Sequence, residues 1–122
     1  MGFWERLIRG AEEKPKMRIG FIGEGQDKDR LRKAYREHPQ AEIVAEEPLP
    51  RADEAIRTAG IQAAEIFAKS EQAAALALAC FQAGIHASVP APIATTIEKA
   101  DELIAAARRH QVTLRVRQPV LY

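Results

Sequence analysis

Gly84-Ile85-His86-Ala87-Ser88-Val89-Pro90-Ala91-Pro92-Ile93-Ala94-Thr95-Thr96 runs directly into Ile97-Glu98-Lys99-Ala100-Asp101-Glu102-Leu103. The first part reads as a strand over His86–Val89, broken by two prolines. Thr95 or Thr96 then caps a helix spanning Ile97–Arg109, with Glu98 and Lys99 in its first turn. Upstream, Ser70 is a natural N-cap for a helix over Glu71–Ala83, which Gly84 ends. Ala63–Ala68 before it is an apolar run of strand length. Downstream, Val112-Thr113-Leu114-Arg115-Val116 alternates as a last strand. A strand–helix–strand–helix–strand succession demands a parallel sheet covered by helices.

The N-terminal half continues the pattern. Met17–Gly23 is a β-branched and aromatic run ending in glycine, and Asp27–Glu37 places Leu31, Ala34 and Tyr35 on one helical face. His38-Pro39 stops that helix, since a residue before proline resists the helical region. Glu42–Glu46 is the next strand, Pro48-Leu49-Pro50 a break, and Arg51–Thr58 a short helix. Before all of this, residues 2–10 set Phe3, Trp4, Leu7 and Ile8 along one apolar stripe, and a charged linker follows to Lys16. Two parts are therefore expected: an amphipathic helix with its linker at 1–16, and an α/β domain at 17–122.

Size and composition narrow the class. With 122 residues the chain builds a single core. Eighteen basic and seventeen acidic residues leave a net charge of +1, which gives no field for nucleic acid or an anionic membrane. A single cysteine, Cys80, excludes an internal disulfide and suits a reducing compartment; its apolar helical setting makes it a core residue. No apolar run reaches the roughly 18 residues of a membrane span, and no secretory leader is evident. A cytoplasmic location is the expectation.

The opening stretch resembles the core of the glucose–fructose oxidoreductase / inositol dehydrogenase (Gfo/Idh/MocA) family. There a strand reads G-K-H-V-L-x-E-K-P, followed by L-A-x-T and a helix close to E-A-D-E-L. The frame is kept here, but Pro90 and Ala91 stand where the family has its glutamate and working lysine. The resemblance covers residues 17–122, dense after Ala73 and thinner before it. It implies the NAD(P)-binding Rossmann-like domain of such an oxidoreductase. Only about sixteen residues, Pro48–Ala63, bridge the second strand and the strand at Ala63, too few for the usual extra helix and strand. In the Rossmann order 3-2-1-4-5-6, strand 3 is then missing and five strands remain as 2-1-4-5-6. The second strand becomes an edge, with Ile43–Glu46 unpaired unless Glu46, Glu47 and Pro48 blunt it or another subunit covers it.

Four groups bear on chemistry. Gly23 and Gly25 match the first two glycines of a G-x-G-x-x-G/A turn, with Gln26 beside them. There glycine gives the tight turn, backbone meets the pyrophosphate, and helix N–H groups face it. The third position is Lys28, and Glu24 and Asp27 put negative charge near the phosphate's seat; a plain strand-to-helix turn is the competing reading. Glu46 and Glu47 lie 21 and 22 residues after Gly25, near where an acid accepts from the ribose hydroxyls. If a cofactor binds, acids there favour NAD over NADP. Ile66-Phe67-Ala68-Lys69-Ser70 aligns with the family's I-A-T-P-N, making Ala68 and Ser70 candidate contacts. Ala91 has no titratable group to move a proton. The three histidines are scattered and suggest no metal site.

These residues imply an NAD-type nucleotide-binding domain without a catalytic residue or independent dehydrogenase activity. The rival expectation is an interaction module that keeps the fold, has lost its cofactor, and self-associates through Ile43–Glu46 and the Phe3/Trp4/Leu7/Ile8 helix.

Overall fold

Apolar runs of five to seven residues become strands, and the segments with helical period become the helices between them. The computed structural model of the chain describes residues 2–5 and 15–117. Its elements are β1 (Met17–Gly23), α1 (Lys28–Glu37), β2 (Ala41–Glu47), a 3₁₀ turn (Leu49–Arg51), α2 (Ala52–Thr58), β3 (Ala63–Phe67), α3 (Ser70–Gln82), β4 (His86–Pro90), α4 (Ile97–Arg109) and β5 (Leu114–Arg117). The strands form one all-parallel sheet in the order β2-β1-β3-β4-β5. This is the expected order with its missing strand omitted from the count. Only a 3₁₀ turn and the seven-residue α2 lie between β2 and β3, and β2 is the outer strand.

The direction of each crossover divides the helices between two layers. α1 carries the chain from β1 outward to β2 and covers one face, where Leu31 and Tyr35 pack on Ile19, Phe21 and Phe67. The chain then reverses across the sheet. Right-handed connections put α2, α3 and α4 on the other face, where Ile56, Phe81 and Leu103 join the main core with Ile22 and Ile66. Cys80 lies in that core, and burial pushes its thiol up to about 12. It is a packing residue with no thiolate at neutral pH.

Several local expectations change in detail. Helix α1 begins at Lys28, because Asp27 adopts a left-handed conformation (φ 68°) as its cap residue. Thr96, rather than Thr95, caps α4 by accepting from the Lys99 N–H. Ser70 is not a cap. Lys69 holds the extended cap position, and the Ser70 hydroxyl donates instead to the Pro92 carbonyl at 3.1 Å. Strand β2 contains a bulge: Ile19 pairs with Ile43 but Gly20 with Ala45, leaving Val44 as an extra residue. Ala41 and Ile43 therefore pack on the α1 side, while Ala45 joins the opposite core. At the N-terminus, residues 3–5 are helical, with Phe3 and Trp4 exposed by 63% and 73%. Leu7 and Ile8 lie outside the described residues.

The main core depends on Phe81, which has no exposed surface and sits where α3 meets the sheet and α4. Phe81→Ala is expected to cost about 3–5 kcal/mol in urea denaturation. A loss below about 1 kcal/mol would mean that α3 is not packed as described.

Candidate functional site

A cleft of about 910 Å³ runs across the carboxyl ends of the strands, where chain direction reverses between β1 and β3. In open parallel sheets, this switch point is where ligands bind. One end is formed by the β1–α1 turn. Gly23 has φ 95°, and a Cβ built on it would lie 2.0 Å from the Phe67 carbonyl oxygen, so glycine is required there by the fold itself. Gly25 differs. A Cβ there would meet only the Phe67 side chain, at 3.5 Å, an ordinary contact, and its φ is not left-handed. Packing does not demand glycine at 25, where the backbone borders the cleft together with Gln26. No side chain caps α1, so its first-turn N–H groups are free to meet an anion at this end.

The charges around the turn are paired. Lys28, at the third-glycine position, is buried; its Nζ donates to the Gly23 carbonyl and to Glu24 Oε1, both at 2.8 Å. Asp27 Oδ1 lies 3.3 Å from Arg30 Nε. The negative charge expected near a phosphate is thus offset locally, although Lys28 does not itself line the cleft.

The candidate ribose acids lie off the cleft's lining. Glu46 Oε1 accepts from Arg32 Nε at 2.9 Å and from Nη2 at 2.6 Å. Those hydrogen bonds hold its carboxyl below the usual range. Glu47 is 3.8 Å from Arg51. Leu49, just beyond β2, borders the cleft.

At the opposite end are Ala68, Lys69, Pro90, Ala91 and two arginines of β5. The Ala91–Pro92 bond is cis. The Ser70–Pro92 hydrogen bond brings the start of α3 beside Ala91, so Ala68 and Ala91 share this end while Ser70's hydroxyl is engaged with backbone. The structure also shows a group that the sequence reading missed. Arg117 Nη1 donates to Glu65 Oε2 at 2.6 Å and to the Ser88 carbonyl at 3.0 Å, and Nη2 donates to the Ile66 carbonyl. Its guanidinium carbon lies 4.6 Å from the Phe67 ring centroid. The signal available was a lone acid, Glu65, inside an apolar strand. Among the described residues no group of three His, Cys, Asp or Glu could hold a metal ion, and no helix is long and apolar enough to cross a membrane. His86 accepts from the Thr113 N–H at Nδ1, a bond between β4 and the approach to β5.

Two predictions follow from these contacts. Gly23→Ala should lose at least about 2 kcal/mol, whereas Gly25→Ala should stay within about 0.5 kcal/mol of the parent. Thermal melts of both variants check this, and equal losses would contradict it. A carboxyl held below its unfolded value adds stability above that unfolded value and loses it on acidification. Glu46→Gln should therefore melt lower than the parent at pH 7, modestly because the pair is partly exposed to solvent. The gap should close below about pH 4; a gap that does not change with pH would exclude the carboxylate as its source.

The architecture matches known proteins. The model of the Gfo/Idh/MocA oxidoreductase family, NAD-binding Rossmann fold, matches residues 25–118. The biliverdin reductase of Synechocystis sp. PCC 6803, solved with biliverdin and NADP+, superposes with a TM-score of 0.75 at 22% identity, over 83% of this chain and 37% of that one. The WlbA dehydrogenase of Bordetella pertussis, solved with NADH and UDP-GlcNAcA, gives 0.76 at 22% identity, over 83% and 36%. The apo scyllo-inositol dehydrogenase of Lactobacillus casei gives 0.73 at 18%, over 84% and 36%. The chain spans little more than a third of the length of these proteins. No curated protein matches it in sequence. With a parallel sheet of this order and a family match over most of its length, the chain belongs to the Gfo/Idh/MocA oxidoreductase family, as its NAD-binding Rossmann domain.

Proposed function

We propose that this chain binds an NAD-type nucleotide with its pyrophosphate over Gly25 and Gln26, and has no independent dehydrogenase activity. The observation that carries the first part is Gly25, a glycine beside the cleft that no neighbouring packing requires. With the uncapped start of α1, it leaves room and donors for a pyrophosphate. A bound nicotinamide would supply hydride acceptance or donation. The chain's own contribution is binding and orientation, because Ala91 offers no proton where relatives have the lysine. NAD is favoured over NADP because β2 ends in two acids, Glu46 and Glu47, although both are set back from the cleft's lining and paired with Arg32 and Arg51. Ala68 and Ser70 shape the β3–α3 turn beside the ligand, Ser70 through its bond to Pro92.

The test is a calorimetric titration with NAD, NADH, NADP and NADPH. Saturable binding, tighter for the forms without 2′-phosphate and lost in Gly25→Trp, is the expected result. Absence of any heat at millimolar ligand would overturn the proposal.

A second reading, self-association, is favoured by the exposed Phe3–Trp4 pair and by β2 lying at the sheet margin, where Ile43–Glu46 has one neighbour. Sedimentation velocity decides it: mass should rise with concentration and fall on Trp4→Glu. A monomer at every concentration would remove it.

A further inference from the structure

The two ends of the cleft differ in charge. Around the β1–α1 turn each acid has a base: Glu24 with Lys28, and Asp27 with Arg30. At the other end Lys69, Arg115 and Arg117 line the cleft, and their only acidic contact among the described residues is Glu65. Arg117 takes that carboxylate at 2.6 Å and is itself largely buried, with its nitrogens spent on Glu65, Ser88 and Ile66. Arg115 reaches the same carboxylate only at 4.0 Å, and its side chain is 62% exposed. Lys69 has no ion-pair partner among the described residues. It lines the cleft with Ala91, and the next residue, Ser70, donates to the Pro92 carbonyl. Two of these three cations meet the single carboxylate and Lys69 meets none among the described residues, so Lys69 and the exposed Arg115 have side chains free to reach a ligand.

This end suits an anion and opposes a cation. The oxidised nicotinamide ring carries positive charge, and placing it beside Lys69 and Arg115 is repulsive. A phosphate there would gain charge-assisted hydrogen bonds from both side chains. We propose that the preferred ligand of this cleft is a nucleoside polyphosphate whose terminal phosphate lies at Lys69 and Arg115, in the place a nicotinamide would take. The proposal rests on the reading of the Gly23–Gly25 turn as a phosphate seat. It names a different far end for the same ligand site.

The experiment is a titration of the full chain with ATP, ADP, NADH and NAD at low salt, repeated on the double variant Lys69→Ala/Arg115→Ala. Both substituted side chains are exposed, and a melting curve confirms that the variant is folded. ATP is expected to bind roughly tenfold more tightly than NADH, with NAD the weakest of the four. The double variant should lose the ATP advantage while NADH affinity stays within about twofold. NADH binding as tightly as ATP, or an ATP advantage that survives in the folded double variant, would overturn the proposal and leave nucleotide binding standing. No binding of any of the four would overturn both.

Discussion

A carboxylate in the middle of a parallel sheet constrains this structure more than any other group. Glu65 lies on β3 with 1% of its surface exposed. An ion buried there costs several kcal/mol unless it is paired and hydrogen-bonded. Tyr35 donates its hydroxyl to Oε1 at 2.6 Å, and Arg117 donates to Oε2 at 2.6 Å. Burial, then the bond to Glu65, pushes the Tyr35 phenol above its ordinary value, so it stays a donor at any physiological pH. The carboxylate thereby ties α1 and β5, far apart in sequence, to the central strand.

The same network explains the floor of the cleft. The described pairing of β3 with β4 ends at Glu65 and Ser88. Beyond that point the Arg117 guanidinium donates to the carbonyls of both Ile66 and Ser88. It acts as a wedge between the two strands, supplying donors where the ladder stops. Phe67 then packs between this guanidinium and Phe21, whose ring centroid is 5.5 Å away. A bulky ring thus stands where the relatives' I-A-T-P-N motif has alanine, and the space it fills lies directly beneath Gly25.

The elements themselves were legible because apolar period, proline and glycine are local signals. The short Pro48–Ala63 bridge revealed the outer position of β2 for the same reason. What remained hidden were effects of pairing between distant segments. The bulge at Val44 is a two-against-one register with β1, and nothing within Glu42–Glu46 encodes it. Ser70 has the right chemistry for a cap, yet the cis turn at Ala91–Pro92 offers its hydroxyl a carbonyl partner instead. Glu46 was correctly placed near the end of β2, but its commitment to Arg32 depends on how α1 lies over the strand.

Lys28 shows how a motif position can change residue while its task is met by other means. A glycine or alanine is expected there because helix and strand approach closely. A lysine can take the position because its ammonium has acceptors at once: the Gly23 carbonyl and the Glu24 carboxylate. Glu24 is 79% exposed at its side chain, so this pair is held mainly from the buried lysine's side. The ammonium thus braces the turn from beneath and cancels the charge that would repel a phosphate above it. Once those charges cancel, a phosphate bound at this end, as proposed, would be held by backbone N–H groups, which read a phosphate without reading the rest of the molecule. On that proposal, discrimination between ligands would fall to the opposite end of the cleft, where Lys69 has no ion-pair partner among the described residues and Arg115 is largely exposed.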